Sequence, residues 1–258
     1  MLTEVRGLVL RTTDINDTDR MITVYSAEEG IISALAKGSR SLKSRKMAAT
    51  MQFCYADFVI FTQGEKSWVR EADLIENFFG IRDTLEGLAL GGYVLEVLCD
   101  VGTAEGDREL LRLALNTLFA ISNSRYSLPL VKAAFEIRIA TILGFMPDLV
   151  ACHDCGSKYG DFFLDVMAGA VQCADCHKRA EQTHEMLTDV HESHIICILS
   201  EAARTALLYC IYSPLEKLFS FSLGEDDVRL FSRAAEEYLL NHLERGFKSL
   251  DFYNEVKR

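Results

Sequence analysis

Four of the chain's eight cysteines stand as two pairs, "CHDC" at 152–155 and "CADC" at 173–176, with 17 residues between them. A CxxC turn aims two sulfurs at one centre, and two such turns at this separation have the ligand spacing of a four-thiolate metal site. Cys152, Cys155, Cys173 and Cys176 are therefore the expected ligands, and the chain between them has to fold back on itself. The intervening "DFFLDVMAGAVQ" reads as a β-hairpin turning at "MAGA", and Gly156 supplies the positive φ that such a knuckle often needs. Four protein ligands leave no position for water or substrate, so the spacing predicts a structural zinc ion. A redox role would suit a single CxxC beside a βαβ unit, a pattern absent here. His153 and His177 are expected to face solvent. Cys54, Cys99, Cys197 and Cys210 sit in apolar runs and read as core thiols. A reducing compartment suits all eight.

Outside that module the sequence has two periodicities. Up to about residue 78, "EVRGLVLRTT", "RMITVYS", "GIISALAK", "QFCYADFVIFT" and "SWVREADLIE" are short β-rich runs separated by turn chemistry such as "DINDTD", "AEEG" and "QGEK". Five short strands in so few residues predict a small closed barrel, because closure removes exposed edges. A five-stranded OB-fold is the first choice and an SH3-like barrel the second. From about residue 80 apolar residues recur at helical steps through "IRDTLEGLALGGYVLEVLCDVG", "DRELLRLALNTLFAIS" and "LPLVKAAFEIRIATILGF". In "EDDVRLFSRAAEEYLLNHLER" Phe231, Ala235, Tyr238 and His242 share one helical face, and acids at its start suit the helix dipole. Gly91-Gly92 marks either a close helix contact or a mere irregularity. The expected class is α+β and multidomain: an OB-fold barrel over 1–79, an α-helical domain over 80–147 and 181–258, and the zinc module inserted at 148–180.

Charge supplies the functional signal. The 258 residues carry a formal net charge of -11, yet "KGSRSLKSRK" at 37–46 holds five cations and no acid. Lys37, Arg40, Lys43, Arg45 and Lys46 can attract phosphate locally, since distant exposed acids are screened beyond about 10 Å at ordinary salt. The plainer alternative is a solvated loop. Trp68 and Arg70, two residues apart in a strand, share a face that suits base stacking, or else a buried Trp beside a snorkelling Arg. No Walker loop, GxGxxG, GxSxG or HExxH occurs, and no enzyme is expected. Asp14, Asp17 and Asp19 read as a turn, or alternatively as magnesium ligands of a nuclease. His184, His191 and His194 lack a partner motif. No run reaches 18 apolar residues and the first residues lack a secretory pattern, which predicts a cytoplasmic, non-membrane protein.

The order of "GLVLRTTDINDTDRMITVYSAEEG", "AKGSRSLKSRKMAATMQF", "FFGIRDTLEGLALGGYVLEVL", "LGFMPDLVACHDCG", "AGAVQCADC" and "GFKSL" resembles the RecO family of DNA repair and recombination mediators. The resemblance implies an N-terminal OB-fold, a helical domain and, in many members, an inserted zinc module. It implies binding of single- and double-stranded DNA and annealing of complementary strands. Implied partners are RecR and the acidic, hydrophobic tail of single-stranded-DNA-binding protein, in the pathway that loads RecA on gapped DNA. A nucleoid-associated location follows from that role. An adaptor that docks partners but binds little DNA is the alternative.

Overall fold

The computed structural model describes residues 1–187 and 195–257, less the side chains of 181 and 183–187. Two compact units emerge: Met1–Arg125 with Phe247–Arg258, and Tyr126–Gly246.

In the first unit, β1 (Leu2–Asp14), β2 (Arg20–Ser26), β3 (Gly30–Ala36), β4 (Tyr55–Gln63) and β5 (Lys66–Glu76) close into a barrel of order β1-β2-β3-β5-β4. All pairings are antiparallel except β3 with β5, which meet in parallel at Leu35 and Trp68. Parallel pairing needs a long connection; here the chain leaves β3 through residues 37–54, a series of turns that holds the basic run, and reaches β5 only after β4. Alternate residues from each strand, including Val9, Val24, Ala34, Phe58, Ile60 and Val69, fill the interior. The five expected strands and their closure are thus present, as the OB-fold expectation requires.

Helices α1 (Leu85–Val101), α2 (Arg108–Ser122) and α7 (Lys248–Val256) belong to this same unit. Thr84 caps α1 through the Gly87 N–H at 3.0 Å, and Asp107 caps α2 through Glu109 and Leu110. Gly91 is a close contact: a Cβ there would meet Phe53 and Ile81 at 3.0 Å, whereas Gly92 faces open space up to Ser249. The last helix packs on the first, with Tyr93 edge-on to Phe247 at 5.6 Å and the Ser249 N–H donating to Glu96.

The second unit is built on α3 (Leu128–Ile142), α5 (Glu201–Tyr212) and α6 (Glu225–His242). Helix α3 is buried all round, and its Lys132 ammonium bonds Glu136 at 2.7 Å and Glu236 of α6 at 2.8 Å. Such a buried cation is tolerated only when paired. On α6, Phe231, Ala235 and Tyr238 are buried as the periodicity predicts, and His242 at the end is half-buried. A three-stranded sheet of order β7-β6-β8 carries β6 (Phe162–Asp165), β7 (Ala170–Cys173) and β8 (Ile196–Leu199), with α4 (Ala174–Leu187) following β7. The β6–β7 hairpin turns at 166–169 as expected; β8 and α4 carry no sequence signal strong enough to predict. Among the described residues no helix is long and apolar enough to cross a membrane.

Candidate metal centre and nucleic-acid groove

The four cysteines converge. Their sulfurs all lie within 4.8 Å of one another, and Cys155 and Cys173 are 3.7 Å apart. A tetrahedral ion with metal–sulfur bonds of about 2.3 Å separates its sulfurs by about 3.8 Å, so the donor set fits a four-thiolate metal ion. The first knuckle is a turn closed by the Gly156 N–H on the Cys152 carbonyl at 2.9 Å, with Gly156 at φ +74°. The His153 N–H, donating to the Val171 carbonyl at 2.8 Å, ties this knuckle to β7. The second knuckle runs from the end of β7 into the first turn of α4, and the Arg179 guanidinium reaches Cys176 Sγ at 2.9 Å.

Burial raises the Cys152 thiol, yet backbone N–H groups of both knuckles outweigh it and bring it down to about 6. Burial and then the neighbouring Cys155 and Cys173 push Cys176 up to about 12. Four crowded sulfurs do not share negative charge without a counter-ion. His153 is exposed as expected. His177 departs from expectation: it is half-buried, stacked on Phe163 at 4.1 Å and near the Gln172 side chain. Its ring covers apolar surface that the short hairpin cannot cover itself. Arg204, buried on α5, donates to the Leu149, Val150 and Lys158 carbonyls and lies 4.4 Å from the Phe162 ring centre. It fastens the chain on both sides of the first knuckle to the helices. A lone cation in the apolar run "EAARTALLYC" is the sequence signal for such an anchor.

Cys54, Cys197 and Cys210 are buried, and burial raises each thiol. Cys99 is only partly covered. His191 and His194 lie outside the described residues, as does the side chain of His184. Among the described residues the four cysteines are the one group of His, Cys, Asp or Glu side chains close enough to share a metal. Asp14 and Asp19 are instead engaged with the basic loop.

On the barrel, Lys37, Lys46, Phe61, Gln63, Trp68, Val69 and Arg70 line one open groove of about 380 Å³. Two segments distant in sequence meet there: the loop after β3 and the β4–β5 hairpin. Val69 points into the barrel core, so Trp68 and Arg70 point outward. Phe61 pairs with Trp68 across the strands, its ring stacked at 5.9 Å and 27°, and the Arg70 guanidinium lies 4.9 Å from the Phe61 centre. Val59 pairs with Glu71 and Ile60 with Val69, leaving Arg70 as the extra residue of a β-bulge, a device that re-aims a side chain. Trp68 is partly covered rather than buried. Phe61 is the groove residue that sequence reasoning passed over; the register of β4 against β5 is what puts it beside Trp68.

The five cations of the loop are not equivalent. Lys37, Lys43 and Arg45 are exposed. Lys46 is half-buried and donates to the Val69 carbonyl at 3.3 Å; burial, with help from Arg70, lowers its pKa. Arg40 is held inward, its guanidinium paired with Asp14 at 3.2 Å and bonded to the Asn16 carbonyl. Asp19, expected to belong to a turn, accepts the Gly38 N–H at 2.8 Å. That bond, with those from Asn16 and Thr18 and the nearby charge of Lys37, holds its carboxyl below the usual range. Elsewhere on the barrel Glu4, Glu28, Glu29, Asp57, Glu71 and Asp73 line an acidic depression of about 670 Å³.

Comparison with known proteins agrees with this architecture. The family model described as "Recombination protein O N terminal" matches residues 1–78, and "Recombination protein O C terminal" matches residues 82–192. A protein of Acetivibrio thermocellus named DNA repair protein RecO is 32% identical over 255 residues, 98% of this chain and 96% of that protein. Proteins of the same name from Caldanaerobacter subterraneus subsp. tengcongensis and Desulforamulus reducens are 26% and 28% identical over 96% and 97% of this chain, and 96% and 93% of theirs.

Proposed function

The chain belongs to the RecO family, and from that premise we propose that it is a non-enzymatic DNA repair and recombination mediator that holds single strands in the barrel groove. The observation that carries this reading is the meeting of loop cations with side chains of β4 and β5 in one groove: Lys37 and Lys46 beside Phe61, Trp68 and Arg70. Unpaired bases stack on the partly exposed aromatic face while cations meet the phosphates on either side. Lys43 and Arg45, at the free tip of the loop, extend the phosphate track. Arg40 contributes its charge and holds the loop. Duplex DNA, lacking unstacked bases, would be gripped through phosphates alone.

Lys37, Lys46 and Arg70 line the groove, and Lys43 and Arg45 are exposed on the adjoining loop, which makes five cations for phosphate. Each phosphate contact of a single strand contributes about -0.7 to the salt slope, so five give about -3.5 and a roughly hundredfold loss of affinity between about 50 and 200 mM salt. Such non-specific binding suits annealing, which requires repulsion between strands to be neutralised while base edges stay free. The reading extends to RecR and the tail of single-stranded-DNA-binding protein as partners in loading RecA, in a cytoplasmic, nucleoid-associated setting. In this reading residues 1–79 act as the DNA-binding module, 148–180 as the metal module, and 80–147 with 181–258 supply the helical part.

Zinc is the ion proposed for Cys152, Cys155, Cys173 and Cys176. When bound it cross-links the two knuckles and supplies no reactive position. The backbone bonds of the knuckles, Arg179 and Arg204 orient the ligands and fasten them to the unit.

Titration of a labelled single-stranded oligonucleotide with wild type and with a Lys43→Ala/Arg45→Ala variant tests the reading. Loss of two phosphate contacts should weaken binding about tenfold at about 150 mM salt and move the slope from about -3.5 to about -2. Binding that is indifferent to both changes would remove the loop as a contact. The acidic depression favours one second reading, a protein adaptor with little DNA affinity, which predicts no measurable binding by wild type at low salt.

A further inference from the structure

The same barrel carries an acid where the basic loop begins, and electrostatics alone would make it a handicap for phosphate binding. Asp19 Oδ1 accepts the Gly38 N–H at 2.8 Å and the Thr18 hydroxyl at 3.1 Å, while Oδ2 takes the Asn16 amide at 3.1 Å. Gly38 is at φ +68°, the conformation in which the chain leaves β3 for the basic loop. Two residues on, the Arg40 N–H donates to the Thr18 carbonyl at 3.0 Å. Its guanidinium joins Asn16 and Asp14. Asp14 also pairs with Arg20 at 3.0 Å, and Arg20 reaches the Thr50 carbonyl at the far end of the crossover at 3.4 Å. The β1–β2 turn therefore grips the loop at 38, 40 and 50, and residues 41–45, with Lys43 and Arg45, are left standing outward.

We propose that Asp19 is a positioning residue for nucleic-acid binding: by fixing Gly38 it sets the course of the basic loop, and so raises affinity for phosphate although its charge opposes it. The inference rests on the groove reading above and adds a sign to it. A loop already held in its bound course loses less conformational freedom when it meets a strand, and that saving appears as affinity. The charge-only view predicts the reverse, because Asp19 lies close enough to Lys37 and Lys46 to interact with both and so offsets part of the positive potential that a phosphate would meet.

Asp19→Ala and Asp19→Asn separate the two. Both remove the charge, but Asn keeps a carbonyl oxygen able to accept the Gly38 N–H. With the full chain and a labelled single-stranded oligonucleotide, Asp19→Ala should bind about fivefold more weakly, the size expected from loss of one organising hydrogen bond. Asp19→Asn should bind as wild type or tighter, with thermal unfolding followed in parallel for both. Equal tightening by the two variants, or wild-type affinity in both, would overturn the proposal. Including Lys43→Ala/Arg45→Ala in the same titration keeps the two questions apart. If that variant binds as wild type, the groove reading falls; if it binds more weakly while Asp19→Ala binds more tightly, only the positioning role falls.

Discussion

The cysteine cluster and the barrel groove recruit their residues over very different distances. In the cluster, two turns of four residues each bring a ready pair of sulfurs, and one short hairpin carries the pairs to within 4.8 Å. In the groove, side chains from 37, 46, 61, 68 and 70 meet only because five strands close in one register. The cluster gathers like groups whose crowding a bound cation would relieve. The groove gathers unlike groups, aromatic faces and ammonium or guanidinium heads, and leaves them open to solvent. A locally built site depends on its ligand for stability, whereas a site built on a closed barrel is stable first and binds afterwards.

The largest effect should come from the metal. Chelation, or Cys155→Ser, should unfold the 148–180 module, since structural zinc sites of this type supply roughly 10 to 16 kcal/mol of apparent stabilisation. Metal content and amide exchange across β6 and β7 would measure it, with the barrel strands unchanged. If β4 and β5 lost protection together with β6, the contrast between the two regions would fail. Next comes Trp68. Trp68→Leu keeps apolar cover over Phe61 but removes the stacking face, and should cost about 1 to 3 kcal/mol of single-strand binding, with a smaller loss for duplex. Because Trp68 is the chain's one tryptophan, quenching of intrinsic fluorescence on oligonucleotide addition reports this contact directly. An unquenched signal at saturating oligonucleotide would take Trp68 out of the groove's function.

The smallest effect is a pH effect at Lys46. Its pKa is lowered, burial being the main cause, so its charge is lost, as pH rises, before that of an ordinary lysine near about 10.4. Single-strand affinity should therefore begin to decline at a lower pH than lysine titration alone predicts. Lys46→Arg should delay that decline. Identical pH profiles for the two proteins would mean that Lys46 makes no phosphate contact.

Much of this was legible from local pattern. Runs such as "RMITVYS" alternate and are bounded by turn residues, so β2 forms where the sequence places it; the two CxxC pairs name their own ligands. Other features carry no local mark. The four residues of β8 are too few for a period and acquire strand geometry only by pairing with β6. Helix α7 follows the second unit in sequence but packs in the first. Arg40 and Lys43 look alike as cations in one run, yet the first is paired with Asp14 and the second is exposed. "DINDTD", read as a turn, is the strut of the basic loop, because its acids and carbonyls face Gly38 and Arg40.

By itself the amino-acid order determined the four cysteines that cluster, the five strands and the presence of a cationic loop, since each follows from neighbours a few residues apart. Only the closed barrel decided which cations stand free, which aromatic ring joins Trp68 and what the acids of the first turn hold. Those outcomes depend on pairings between residues 14 and 40, 19 and 38, 46 and 69, and 61 and 68. Such contacts come into being when non-adjacent strands settle into register, and a one-residue slip would turn their side chains to the other face.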